Sequence, residues 1–458
     1  MKHGRVLLVL LVLAGCVVAT GASSAAPAPS CLRAEDFGAV PDDGQDDRDR
    51  LQAAIDAAQA GPRCLELGPG RFHATRRQTP GTSSIASLRI TGSLVLRGAG
   101  EGVTVLAMLG PGTCSGCQGF PNPTDWHLLA VTGATDVSIS GLTFDGSERT
   151  NTIEQTHLLQ VNGPTDNVLI EHATFNLPII GPNAGGDCIR LLGTHTEWVR
   201  NTTIRHTRGL DCDRSFIGIQ RGLDGVVIEH SESVLVGDQA IDFEPTGGPS
   251  FECQPIVKNI LMRQLVLRRG VSAGLTATIH GDGCAVAENV TLTDSTVEDG
   301  TVSILDARDV TLSRLRLRSL PGNPAPIVLA RKRIENLRIL DSELERLADS
   351  GTGQALKISG QNGAFPTDVL LSGVRITQAT PGPLVSTEHL ARLVIVGAEL
   401  VYTGPPVGNH AVHVRGFAEA PAEAPVLVDT TVAGALAGAA RVAGVFTGQP
   451  VLVRVTGP

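Results

Sequence analysis

The sequence predicts an all-β protein: a single-stranded, right-handed parallel β-helix, a solenoid of stacked coils, with a short N-terminal capping helix. Three observations predict it. Similar segments recur at residues 185–193 (Gly-Gly-Asp-Cys-Ile-Arg-Leu-Leu-Gly), 214–222 (Arg-Ser-Phe-Ile-Gly-Ile-Gln-Arg-Gly) and 238–246 (Asp-Gln-Ala-Ile-Asp-Phe-Glu-Pro-Thr). Each alternates apolar and polar residues with the two-residue period of a strand and ends in Gly or Pro turn chemistry. Their spacing is too short for separate domains and suits stacked coils. The composition agrees, because 53 glycines with only 3% aromatics suit many tight turns around a narrow aliphatic core. Hairpin loops of the Asn-Gly type are scarce, which argues against an antiparallel sandwich or propeller. The handedness follows from the rule for parallel crossovers.

The chain opens with Lys2 and Arg5 before the almost wholly apolar run Val6–Ala19, which reads as a signal peptide over about residues 1–22. The run is too short to span a bilayer comfortably, so no transmembrane segment is expected in the mature chain. Cleavage near Ala22 or Ala25 gives free secretion. The alternative is a lipobox at Leu13-Ala14-Gly15-Cys16, which makes the protein a lipid-anchored component of the cell envelope. The net charge of −9 offers no reason to expect a nucleic-acid or anionic-membrane partner. No stretch is long enough for an interdomain linker, so one domain is expected from residue 31 to 458, as a monomer.

The first folded stretch, Ala34 to Phe72, reads as a strand, an acidic turn, a helix and a second strand. Asp46 or Asp47 can cap a helix over Asp47–Ala58, where free amides and the dipole favour a carboxylate. Leu51, Ile55 and Ala58 form its apolar face, and Gly61-Pro62 ends it. Such a helix covers the open end of a β-stack, which otherwise exposes unpaired backbone. Alternating runs led by Asn, Asp or Gly then recur to the C-terminus at intervals near 20–34 residues, among them those starting at Asp136, Asn167, Gly225, Asn289, Asp309, Asn336 and Asp368. Asn and Asp are good turn residues in that place.

The order Asp36-Phe37-Gly38-Ala39, the acidic turn Asp42-Asp43-Gly44, Asp46-Asp47 and then Gln52-Ala53-Ala54-Ile55 resembles the N-terminal signature of the pectate-lyase-like superfamily. Polygalacturonases, rhamnogalacturonases, phage tailspikes and mannuronan epimerases share that signature. The resemblance covers residues 34 to about 106, including Leu94–Gly100, and implies a right-handed parallel β-helix. It does not name an activity, because the fold hosts several chemistries. Asn183 to Ile189 is similar to a blend of the polygalacturonase motifs Asn-Thr-Asp-Gly and Gly-Asp-Asp-Cys-Ile, and Asp187 matches a catalytic aspartate of the second. Gly186 stands where that motif has its first Asp. The Gly-His-Gly and Arg-Ile-Lys motifs and the Asp-Pro-His of the epimerases are absent, so no specific enzyme family is matched.

Nine cysteines become eight once Cys16 is removed or lipidated, and an even number in an exported chain favours disulfides. Neighbour-to-neighbour pairing is simplest in a solenoid: Cys31–Cys64, Cys114–Cys117, Cys188–Cys212 and Cys253–Cys284. Free buried thiols are the alternative for one or two of them.

Laid over one another, the three central segments put Ile189, Ile217 and Ile241 on one face with Leu191, Ile219 and Phe243. The opposite face carries Arg190, Gly218 and Asp242 in one row and Leu192, Gln220 and Glu244 in the next. Asp242 and Glu244 are two apart on a strand, roughly 6.5 Å along the chain. That lies near the roughly 6.5–9.5 Å carboxyl spacing of inverting glycosidases. Asp187, Asp242 and Glu244 are therefore the expected catalytic residues, and Arg190, Gln220 and His280 the expected substrate-binding ones, with Arg190 suited to a uronate carboxylate. The alternative is a set of solvated outer-face residues with Arg190 neutralising Asp242. No cofactor is expected, and the metal content is open. A lyase often uses Ca²⁺, for which Asp211, Asp213, Asp238 and Asp242 offer oxygen ligands. The functional expectation is an exported polysaccharide-active protein, a glycoside hydrolase or lyase acting on a uronate-containing glycan. A non-catalytic carbohydrate-binding or surface β-helix is the alternative.

Overall fold

Helix α1 (Arg48–Ala60) closes the first coil in this computed structural model. Leu51, Ala54, Ile55 and Ala58 are its buried residues, and Gly61 is its C-terminal cap. The open edge beneath it is satisfied by α1 side chains. Gln52 both donates to Arg89 O (3.1 Å) and accepts from the Arg89 amide (2.8 Å), Arg48 Nε donates to Ser87 O (3.0 Å), and Gln59 accepts the amides of Thr91 and Gly92. A sheet edge that would otherwise recruit another strand is thereby blocked.

The details around α1 differ from expectation. Asp47 is the N-cap residue yet makes no capping hydrogen bond, because its buried carboxylate accepts the Val40 amide at 2.9 Å. Asp46 takes the Arg48 amide instead, at 3.1 Å. The preceding strand is only Leu32–Arg33. Ala34–Phe37 winds into a 3₁₀ turn that Gly38 ends in the left-handed region, with φ of 85°.

The structure describes residues 30–457 apart from 77–84, 111–125, 150–154, 179–184, 246–255, 269–274, 282–285, 321–322, 324, 348–352, 362, 406–407, 409, 417–421, 424, 435, 445 and 448–450. The signal peptide with Cys16, and the pairs Cys114–Cys117 and Cys253–Cys284, lie outside the described residues. Cys31–Pro458 form one unit by contact. Among the described residues no helix is long and apolar enough to cross a membrane.

Strands stack coil upon coil in parallel. The ladder that matters below runs through β1 (Trp126–Thr132), β2 (Thr156–Asn162), β3 (Ile189–Leu192), β4 (Ile217–Ile219), β5 (Ile241–Phe243), β6 (Leu275–His280) and the start of β7 (Thr301–Ser313). The three central strands pair in the register read from the sequence. Ile189, Ile217 and Ile241 align, as do Leu191, Ile219 and Phe243, and all six are at most 1% exposed. Each such side chain contributes about 1.5–3 kcal/mol on burial. Long strands such as Thr165–Leu177 and Val199–Cys212 complete each coil and turn its corners.

Those corners explain the recurring Asn and Asp. Asp136, Asn167, Asn201, Asn259, Asn289, Asp309 and Asn336 all take positive φ, between 49° and 60°. Asn and Asp tolerate that region better than most side-chain-bearing residues. Stacked at one corner, they also bond from coil to coil: Asn167 donates to Asp136 at 2.6 Å, Asn289 to Asn259 at 2.7 Å and Asn336 to Asp309 at 2.6 Å.

Two of the expected disulfides are present. Cys31–Cys64 ties the chain start to the strand after α1, with Cα atoms 4.6 Å apart. Cys188–Cys212, at 5.5 Å, joins the segment before β3 to the end of the Val199–Cys212 strand.

Candidate functional site

Arg190, Gly218 and Asp242 stand in register on β3, β4 and β5, on the face opposite the isoleucine ladder. Gly218 is the small member of this row. A Cβ built on it would lie 2.5 Å from Asp187 Oδ2, so the missing side chain makes room for the Asp187 carboxylate to fold onto the sheet. Gly218→Ala is expected to displace that carboxylate and cost about 1–3 kcal/mol by overpacking. A urea midpoint unchanged from wild type would show that the site gives way freely.

Asp187 is fully buried and held by a two-pronged ion pair. Arg214 Nε donates to Oδ1 at 2.9 Å and Nη2 donates to Oδ2 at 2.8 Å. The third nitrogen, Nη1, reaches Glu244 Oε2 at 3.2 Å. One guanidinium therefore bridges two of the three expected carboxylates. Burial opposes its charge, but Asp187 and then Glu244 overcome that penalty and raise its pKa. Glu244 is anchored further by Gln220 Nε2 at 2.9 Å, as the register implied, and its side chain stays 42% exposed.

Asp242 is different. It is 4% exposed, and its Oδ1 accepts the Thr278 hydroxyl at 3.1 Å. Burial, with the charges of Glu244 and Asp187 beside it, pushes its pKa up to about 7, against the partial relief of Arg214 and Thr278. Asp187 and Glu244 are ion-paired to the one Arg214, and Asp242 stands beside them without an ion pair of its own among the described residues.

The alternative of a solvated outer face does not hold for Asp187 and Asp242, which are both buried. Arg190 does not serve Asp242. Its Nη1 meets Gln155 and lies 2.8 Å from His157 Nε2, while Nη2 donates to Gln220 Oε1 at 3.1 Å. It thus acts through Gln220 upon Glu244. His157 Nδ1 also lies 2.9 Å from the Asp187 amide. Burial first, then Arg190 and His127, hold His157 well below the ordinary histidine range. A neutral imidazole accepts only one hydrogen bond, so the Asp187 amide and Arg190 compete for this ring. His127, with its ring centroid 5.3 Å from that of His157, is pushed down to about 3 by burial and the neighbouring arginines. His280 turns to Ser303 at 3.1 Å and is lowered to about 4, chiefly by burial.

Sequence reasoning missed Arg214, His157 and Thr278. For Arg214 a signal existed. It lies two residues after Cys212 and Asp187 lies one before Cys188, so the expected disulfide already brought them to neighbouring coils.

Of the four aspartates considered for Ca²⁺, Asp213 pairs with the buried Arg149 at 2.6 Å and Asp242 belongs to the carboxylate cluster. Burial raises the pKa of Asp211 and of Asp213. Among the described residues no group of three or more His, Cys, Asp or Glu is arranged to hold an ion. The absent first Asp of the polygalacturonase-like motif has a steric reason too. A Cβ on Gly186 would lie 1.5 Å from the Thr156 carbonyl oxygen, so no aspartate fits there.

No protein-family model matches the chain. No curated protein matches it either. Solved structures do. The mannuronan C-5 epimerase AlgE6 A-module of Azotobacter vinelandii superposes with a TM-score of 0.57 at 17% identity, over 93% of this chain and 100% of that one. Tailspike protein 3 of bacteriophage CBA120 gives 0.50 at 10% identity, over 93% of this chain and 62% of that one. The catalytic unit of a GH87 α-1,3-glucanase from Streptomyces thermodiastaticus gives 0.44 at 14% identity, over 95% and 70%. The fold is a right-handed parallel β-helix. That fold places the carboxylate cluster mid-stack, on coils flanked on both sides by further coils.

Proposed function

We propose that this protein is an exported polysaccharide-active enzyme that uses Asp242 as general acid and Glu244 as general base on an acidic, uronate-containing glycan. One observation carries the reading: a buried carboxyl whose pKa lies near 7 stands beside a half-exposed carboxylate on one sheet face. Paired titratable groups whose environments separate their pKa values are the mark of acid–base work. The fold shared with a mannuronan C-5 epimerase module supports a polymeric uronate as ligand.

In this reading Asp242 gives its proton to the glycosidic oxygen as the bond to the leaving sugar breaks. Glu244 takes a proton from the water that attacks the anomeric carbon. Asp187 and Arg214 position both groups, and Arg190 aligns Gln220 behind Glu244. Both arginines are already bound to acceptors, so the carboxylate pair, not an arginine base, carries the proton transfers.

The test is a panel of uronate-containing polymers, mannuronan among them, incubated with the purified protein. New reducing ends without unsaturated products support hydrolysis. Unsaturated ends or C5 inversion keep the substrate class but replace the reaction. Binding without any covalent change makes the protein a carbohydrate-binding β-helix, and no binding at all removes the proposal.

A further inference from the structure

Away from the carboxylates, three histidines occupy one corner of consecutive coils. The register Glu171–Arg205–Glu229 places His172, His206 and His230 directly over one another. All three are exposed, and each takes a left-handed backbone, with φ of 48°, 50° and 49°. Their rings stack face to face. The centroids are 5.0 and 4.9 Å apart and the planes 5° and 11° from parallel. Histidine is not demanded by the backbone there, since later coils fill the corner with Gln264, Asp294, Arg314 and Asp341 at similar φ. The charges alongside are paired with one another, Arg205 with Glu171 at 2.6 Å and Arg263 with Glu229 at 2.5 Å. Among the described residues the three imidazoles make ring contacts and no hydrogen bond.

We propose that this histidine ladder is a surface site for a divalent transition-metal ion of the Zn²⁺, Ni²⁺ or Cu²⁺ kind, held by two neighbouring imidazoles at a time. Imidazole nitrogen suits these ions and binds Zn²⁺ at about 2.0–2.1 Å. Two nitrogens on one ion are then at most about 4.2 Å apart, so stacked rings need only tilt towards each other. Exposed side chains with a broad ring torsion do this readily. Coils are about 4.8 Å apart, which puts His172 and His230 roughly 9.6 Å from each other and beyond a shared ion. His206 therefore belongs to either chelating pair, with water completing the coordination. Among the described residues no group of three or more His, Cys, Asp or Glu is placed to hold an ion, so this site rests on two imidazoles and water.

This geometry makes an unequal prediction for three chemically equal substitutions. The untagged protein should be retained on Ni²⁺-charged chelating resin and should bind Zn²⁺ in titration calorimetry. His206→Asn should lower Zn²⁺ affinity about tenfold or more, because each remaining histidine binds alone. His172→Asn and His230→Asn should each lower it only about twofold, since one of two equivalent pairs survives. Asn keeps the left-handed corner, so an unchanged circular dichroism spectrum is expected in all three. The inference is overturned if wild type is not retained, if the triple Asn variant binds as wild type does, or if His206→Asn behaves like the end variants.

Discussion

Arg214→Met is expected to cost about 3–5 kcal/mol of stability, the range for removing one partner of a buried ion pair. The loss should be that large because Asp187 is fully buried and receives both prongs of the guanidinium. Without it the carboxylate has neither water nor a cation, and Glu244 loses a partner as well. Arg214→Lys should recover only part of the loss, since an ammonium cannot present the two-pronged fork. Both tryptophans report on the affected coils, because Trp126 is in β1 and Trp198 precedes the Val199–Cys212 strand. Urea unfolding followed by tryptophan fluorescence should therefore show the shift directly. A loss below about 1 kcal/mol would mean that Asp187 finds another cation or takes up a proton.

Asp242→Asn is expected to act in two opposite directions. If the protein turns over an acidic glycan, the variant should lose orders of magnitude in kcat with the fold intact, since Asn cannot deliver the proton. Near-wild-type turnover would place the acid elsewhere. Stability should move the other way. The folded-state pKa of Asp242 lies near 7, above the ordinary value of 3.8. Below about pH 4 both folded and unfolded forms hold the proton, and the group costs nothing. As pH rises from there to about 7, the unfolded chain ionises first, the folded form binds more protons, and stability falls. The slope is about 1.4 kcal/mol per pH unit, up to about 4 kcal/mol in all. The variant removes that slope, so it should be more stable than wild type at pH 8 and comparable near pH 4. Parallel pH–stability curves for the two proteins would show that Asp242 is ionised in the folded state at neutral pH.

Much of the scaffold was legible because its determinants are local. The two-residue period names the inward face, and the isoleucine row Ile189, Ile217 and Ile241 follows from aligning the segments. The corner that runs from Asp136 to Asn336 takes Asn, Asp and Gly at positive φ, so those coil boundaries are written in residue type. Cys31–Cys64 and Cys188–Cys212 followed from nearest-coil pairing. The exact start of α1 did not, because Asp46 and Asp47 are equally good caps in isolation and only the Val40 amide decides between them.

By itself, then, the sequence determined that this chain stacks into a β-helix and that Asp187, Asp242 and Glu244 gather on neighbouring coils beside Gln220. Tertiary structure alone decided what those carboxyls are. Alternation says which way a side chain leaves the strand, but not whether water reaches it. The pattern alone left open whether Asp242 is solvated or buried. Asp187 folds over Gly218 beside it, Arg214 crosses to Glu244, and burial with the neighbouring carboxylates raises the pKa of Asp242. Arg214 stands 27 residues from Asp187 in the chain, and only the stacking of coils brings it within 3 Å. Charge state depends on desolvation and on the nearest opposite charge, and both are properties of packing that no local pattern encodes.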